Sequence, residues 1–257
     1  MKFDRLIKVF SLGGGAVLVL AALGCQAATK NQRAVINQPA VVADGSSIDK
    51  PPVVLSYEST KPVIKHSLKI LPVPFMVQAP YGNWGLPYQE ACEEASMIMA
   101  AEYFKGNKSL RLSAADADKA ILQLVEWQKQ ERGFYEDTTA NEVASILQDY
   151  FKLTARVMSY DAGLIRQAID SGNLVLVPAA GRKLGNPYFR RPGPLYHMLL
   201  IKGYQGDELI TNDPGTRRGE NYRYAEKIVA QAAHDWNGGQ VETGAAVMII
   251  VSPAQVK

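Results

Sequence analysis

The chain has 257 residues, 47% hydrophobic, 21% charged and 9% aromatic, enough for one sizeable apolar core and unlike any fibrous, collagen-like or wholly disordered chain. The net charge of +3 comes from residues 1–68, which hold eight basic and four acidic residues; the remaining 20 basic and 21 acidic residues balance, which argues against nucleic-acid binding through a basic face. Two cysteines, Cys25 and Cys92, cannot make a disulfide framework, and three histidines without C-x-x-C or H-E-x-x-H spacing argue against a protein-built zinc site.

The N-terminus places Lys2, Arg5 and Lys8 before an uncharged run from Val9 to Gly24, the layout of an export signal. The run ends Ala22-Leu23-Gly24-Cys25, similar to a bacterial lipoprotein signal with Cys25 as the lipidated residue; an uncleaved membrane anchor and an ordinary cleaved signal peptide are the alternatives for residues 1–25. Residues 26–68 are rich in Gln, Asn, Ser, Ala and Val, contain Pro39, Pro51, Pro52 and Pro62, and read as a flexible tether. The folded domain is expected over 69–257.

That domain is predicted to open with a short edge strand at Ile70–Phe75, limited by Pro72 and Pro74. Helices are predicted over Ala91–Phe104, with Ala95, Ile98, Met99 and Tyr103 along one face, over Ser113–Arg132 before Gly133, from the capping box Thr139-x-x-Glu142 to about Phe151, and between Ser159 and Gly172. The period then becomes strand-like at Leu174–Val177, His197–Tyr204, Glu208–Asn212 and Ala245–Val251, with Tyr224–Trp236 read as helical. Segregated helices and strands predict an α+β fold, a helical layer packed on an antiparallel sheet.

Cys92 falls at the start of a predicted helix, where unpaired N–H groups and the dipole favour a thiolate, whereas Glu93 and Glu94 push the thiol the other way, so activation needs a nearby base. The mid-point of His197 and Asp213 is residue 205, the first residue of the turn Gln205-Gly206-Asp207 that lies between them. A hairpin there brings them together, and a register slip of two leaves them diagonal neighbours. This supplies the base and orienter of a Cys-His-Asp triad. Read singly, each residue is also compatible with a packing role. His66 lies in the tether, and His234-Asp235 reads as a solvent-facing pair. A loop carrying Arg182, Lys183, Arg190 and Arg191 leads to His197, either as a binding rim or as a solvated basic loop. Trp84, Trp127 and Trp236 read as packing residues.

Val73-Pro74-Phe75-x-x-Gln78-Ala79-Pro80, Trp84, Ala91-Cys92-Glu93-Glu94-Ala95-Ser96, Tyr196-His197-Met198-Leu199-x-x-Lys202-Gly203-Tyr204 and Asn212-Asp213-Pro214-Gly215-Thr216 occur in this order. Together they resemble the papain-like bacterial cysteine peptidases called C-39-like, over residues 70 to about 251. The resemblance implies a papain-like fold with Cys92 as nucleophile, His197 as general base, Asp213 as its orienter and Gln78 as oxyanion-hole donor, Gln89 being the alternative donor. The Trp84–Gln89 segment is expected to loop out. The best-known relatives cleave double-glycine leaders and are fused to an ATP-driven exporter, but this chain has no G-x-x-x-x-G-K loop, so their substrate does not carry over.

The expectation is an exported, membrane-associated cysteine peptidase or amide hydrolase acting on a peptide or protein, with no cofactor and no nucleic-acid partner. Acyl transfer or cell-wall amidase chemistry on the same triad, and a non-catalytic peptide-binding module, are the rivals.

Overall fold

The structure, a computed structural model, describes residues 68–254. The signal or anchor at 1–25, the lipidation candidate Cys25 and nearly all of the tether at 26–68 lie outside the described residues. Among the described residues no helix is long and apolar enough to cross a membrane.

Seven antiparallel strands form one sheet: β1 (Leu68–Ile70), β2 (Thr154–Ser159), β3 (Leu174–Ala180), β4 (Tyr196–Gln205), β5 (Glu208–Asn212), β6 (Tyr222–Ala225) and β7 (Val247–Ser252). The order is β2-β7-β3-β4-β5-β6, with β1 on β4. Every residue of β3, and all of β4 except Gln205, is buried, so both faces of the sheet's centre are covered. The helices are α1 (Cys92–Phe104), α2 (Ala114–Arg132), α3 (Ala140–Asp149), α4 (Ala162–Asp170) and α5 (Glu226–Ala232). Helix α1 packs on β4 and α2, α3 on β2 and β7, and α4 on β3 and β4. The expected α+β architecture is therefore present.

Local chemistry sets the helix ends. Ser113 accepts from the Asp116 N–H at the start of α2, and Gly133 closes that helix at φ 80°. Thr139 and Glu142 form a reciprocal capping box on α3. Helix α1 departs from the one-faced pattern: its first ten residues are all buried, because it is enclosed rather than laid on a surface.

Four elements differ from the sequence reading. The first strand ends at Ile70, since Pro72 and Pro74 lack the N–H that pairing requires. Strand β2, with no strong alternation, was not foreseen; it adds to the sheet through β7, which is remote in sequence. Strand β3 runs on through Pro178 to Ala180: pairing with β7 stops at Leu176, and beyond it Ala233 bridges Ala179 while the His234 N–H donates to the Pro178 carbonyl, so the N–H that Pro178 lacks is not called on by β7. Residues 222–225 are a strand, β6, and only Glu226–Ala232 are helical.

Candidate active site

The segment ahead of α1 is tied to the sheet by residues quoted above only as motif letters. Leu71 donates its N–H to the Lys202 carbonyl at 2.8 Å. The Lys202 ammonium donates to the Val73 carbonyl at 3.2 Å, and burial pushes its pKa down to about 8. Asn212 Nδ2 donates to the carbonyls of Val73 and Pro74, and Gln78 N–H to that of Pro214. These bonds bring Gln78 to the site.

Helix α1 sets Cys92 over β4. Ser96, one turn further along, donates to the Met198 carbonyl at 3.3 Å, so the i, i+4 spacing stacks Cys92 on the same helix face beside residues 197 and 198. The Met198 backbone amide also reaches the sulfur and favours the thiolate.

The β4–β5 hairpin closes around Gly206-Asp207, pairing Gln205 with Glu208, and a bulge between Ile201 and Gly203 shifts the register so that Leu200 faces Asn212. Extended beyond β5, that register sets His197 opposite Gly215 and leaves Asp213 as its diagonal neighbour. His197 Nε2 lies 2.8 Å from Asp213 Oδ1, with both residues no more than 1% exposed. Gly215 is required here: a Cβ on it would stand 2.9 Å from His197 Cε1 and from Phe189 Cε1.

Asp213 has further partners that sequence reasoning missed. Tyr224 donates its hydroxyl to Oδ2 at 2.6 Å, Asn186 donates Nδ2 to the same oxygen at 3.0 Å, and the Gly215 N–H donates to Oδ1 at 2.9 Å. Burial alone would raise the Asp213 carboxyl, but the His197 charge and the bonds from His197, Tyr224 and Gly215 outweigh it and hold the carboxyl below its ordinary range. Phe189 stands edge-on to the imidazole, ring centroids 5.1 Å apart. Reading 222–225 as a strand would have signalled Tyr224, since β6 pairs with β5, which ends beside Asp213. Nothing local in the loop marks Asn186.

Cys92 is 5% exposed, and its hydrogen bond goes to Glu93 Oε2, at 2.9 Å, rather than to His197. Glu93 is itself held by the Thr138 N–H, 3.2 Å from Oε1. Burial, then the Glu93 charge and hydrogen bond, then Glu94 push the thiol well above its ordinary value, so the acidic neighbours outweigh the helix terminus in this state. Burial and Glu94 raise Glu93 itself. Glu94 accepts from Gln128 at 2.6 Å and is raised to about 7, chiefly by burial.

Both hydrogens of the Gln78 amide are engaged, by the carbonyls of Tyr88 and Gln89 at 3.0 Å each, while its Oε1 is buried without a partner. The two carbonyls fix which end of the amide is nitrogen and close the looped-out 79–89 segment. The Gln89 amide points instead to Glu90, at 2.7 Å. His234 and Asp235 are not a solvent-facing pair: His234 bonds the Gly244 carbonyl through Nδ1, and Asp235 accepts from the first N–H of α3.

Cys92, His197 and Gln78 all line a cavity of about 850 Å³, open to solvent, whose walls include the 188–195 loop and residues 215–218. Trp84 and Trp236 line it too, so of the three tryptophans only Trp127 is confined to packing, against Tyr150.

A cysteine at the head of a buried helix, facing a strand whose histidine is held by a carboxylate, is the side-chain set of the cysteine-type peptidases. The family model described as "Peptidase_C39 like family" matches residues 70–240, and the chain belongs to that family of papain-like cysteine peptidases. Among solved structures it is similar to a C39-like peptidase from Bacillus anthracis, at 15% identity over 74% of this chain and 100% of that one, with a TM-score of 0.49. It is also similar to the peptidase domain of Streptococcus ComA, a bifunctional ABC transporter involved in a quorum-sensing pathway, at 15% identity over 64% of this chain and 93% of that one, with a TM-score of 0.36. No curated protein matches the chain.

Proposed function

We propose that the protein is an exported, membrane-attached cysteine peptidase that cleaves a peptide bond through Cys92, His197 and Asp213. The observation that carries this reading is the buried 2.8 Å His197–Asp213 pair, set at the cavity that Cys92 also lines. With Nε2 engaged by Asp213, Nδ1 is the imidazole nitrogen left to take the thiol proton. The sulfur turns from Glu93 to His197, loses its proton and attacks the scissile carbonyl. His197 then protonates the leaving amine, and water, activated by the same imidazole, hydrolyses the thioester.

The oxyanion forms beside the Cys92 backbone N–H, which at the first position of α1 has no intrahelical acceptor. Gln78 supplies the second donor once one of its hydrogens leaves the Tyr88 or Gln89 carbonyl. Export and attachment rest on the charged-then-apolar N-terminus and Cys25.

Digestion of a defined peptide library tests the activity. Wild type is expected to generate new peptide N-termini, and Cys92→Ala to lose at least ~100-fold of that cleavage. Equal cleavage by Cys92→Ala would refute the assignment. Cys25→Ser is expected to leave a precursor retaining residues 1–24, and an unchanged size with unchanged membrane association would refute lipidation.

A further inference from the structure

The cavity lining carries charges of both signs. Glu90, Glu93 and Asp137 line it together with Cys92, whereas Arg190, Arg191, Arg217 and Arg218 line it with the 188–195 loop and the turn after Asp213. Away from the cavity, Arg111, Arg132, Arg166 and Arg223 each hold a carboxylate, from Glu220, Asp149, Glu226 and Glu208 respectively. None of the four cavity arginines has a carboxylate partner among the described residues, and all four are exposed. Residues 69–257 carry one more acidic than basic residue, so this positive wall is a local concentration and not a sample of a basic surface.

Two of the arginines are seated rather than free. The Arg218 guanidinium lies over the Tyr188 ring, 4.7 Å from its centroid, and Tyr188 stands edge-on to Tyr222. Stacking fixes the guanidinium plane and leaves its N–H edge open to an in-plane acceptor, the geometry that a carboxylate fills with two parallel hydrogen bonds. Arg217 Nη2 occupies the space that a side chain at Gly82 would take: a Cβ there would stand 2.9 Å from it. Four positive charges lining one cavity repel one another until an anion arrives. Glu90, Glu93 and Asp137, which line the cavity with Cys92, would repel a chain that is acidic throughout.

Resting on the cysteine-peptidase reading above, we propose that the arginine wall is a carboxylate-binding subsite and that the substrate is a peptide bearing Asp or Glu to one side only of the scissile bond. Arg217 and Arg218 are the specificity-determining residues.

The full chain carrying Cys92→Ala keeps the cleft and cannot turn over, so binding can be read by itself. Fluorescein-labelled, end-capped hexapeptides Glu-Glu-(Ala)4 and (Ala)4-Glu-Glu are compared by anisotropy with their Gln counterparts. One of the two Glu peptides is expected to bind at least ~10-fold more tightly than its Gln counterpart, and to lose that advantage at high salt and in Arg217→Glu/Arg218→Glu. Because both arginines are exposed, the double variant is expected to keep its thermal midpoint; an Arg217→Gln/Arg218→Gln variant repeats the comparison without charge reversal. Glu peptides that bind no better than Gln peptides in both orientations would overturn the subsite. In the library digest with wild type, cleavage without acidic enrichment on either side of the bond overturns the subsite alone. A Glu preference in binding with no cleavage by wild type overturns the peptidase reading and leaves the subsite standing.

Discussion

Replacing Glu93 by Gln asks what holds the nucleophile protonated. The substitution keeps the side chain's size and an oxygen for the Thr138 N–H, but removes the negative charge 2.9 Å from the Cys92 sulfur. Two unit charges 4 Å apart interact by about 4 kcal/mol at an effective dielectric near 20. Burial raises the Glu93 carboxyl, which lessens this repulsion, and roughly 1.5–2 kcal/mol, about half of the Coulombic figure or less, is taken as its effect on the thiol. That corresponds to a ~10- to 30-fold larger thiolate fraction, a midpoint lower by about one pH unit or somewhat more. The sign follows from the chemistry: a carboxylate beside sulfur opposes a second negative charge and raises the thiol, so removing it lowers the midpoint. The assay is the rate of iodoacetamide alkylation against pH, read by intact mass in a Cys25→Ser background where Cys92 is the only thiol. Wild type is expected to react more slowly than free cysteine at pH 7, because its thiol is buried and raised, and the profile of Glu93→Gln is expected to move to lower pH. A midpoint that stays put or rises would refute the reasoning.

Tyr224→Phe removes the 2.6 Å donor to Asp213 but leaves Asn186, Gly215 and His197; it is expected to cost about 1.5–3 kcal/mol by chemical denaturation and to move the acid limb of kcat/KM upward, since the lost bond had lowered the carboxyl. An unmoved limb would make Tyr224 purely structural. Gly215→Ala forces a Cβ against His197 and Phe189, and a loss in kcat much larger than the ~1–3 kcal/mol of overpacking is expected; equal kcat would show that the imidazole can yield without consequence. Asp213→Asn is expected to keep measurable turnover and Asp213→Ala to lose far more; full activity in the Ala variant would remove Asp213 from the mechanism. Glu94, raised from 4.5 to about 7, binds its proton more tightly folded than unfolded, so its contribution is fully present below pH 4.5 and is lost as pH rises through about 7, on the order of 3 kcal/mol in all. Glu94→Gln should flatten that decline in urea-denaturation stability, and an identical pH slope in both proteins would contradict the assignment.

What could be read from the sequence was what depends on neighbouring residues. The capping box at Thr139, the helical period from Ser113 onward and the Gly133 stop placed α2 and α3 to within a residue or two. The hairpin turn at Gly206 foretold that His197 and Asp213 would meet, and the diagonal contact is the slipped alternative, set by the turn's closing at Gly206-Asp207 together with a one-residue bulge that no residue pattern announces. What stayed hidden depends on distant parts of the chain. Asn186 reaches Asp213 across 27 residues, and Gln78 is held by carbonyls whose direction depends on how the 79–89 segment folds. For Cys92, the opposing pulls of helix terminus and acids were visible, but which would prevail depended first on the burial of Cys92 itself and then on its buried neighbours Glu93 and Glu94.

The central claim is that Cys92 attacks a carbonyl and carries the acyl group. Mixing the protein with a peptidyl p-nitrophenyl ester, quenching in acid within the first turnover and mapping the adduct by peptide mass spectrometry tests it directly. The account predicts the acyl mass on the peptide containing Cys92, formed at least ~100-fold more slowly in His197→Ala. Acylation of another residue, or ester hydrolysis that persists unchanged in Cys92→Ala, would contradict it.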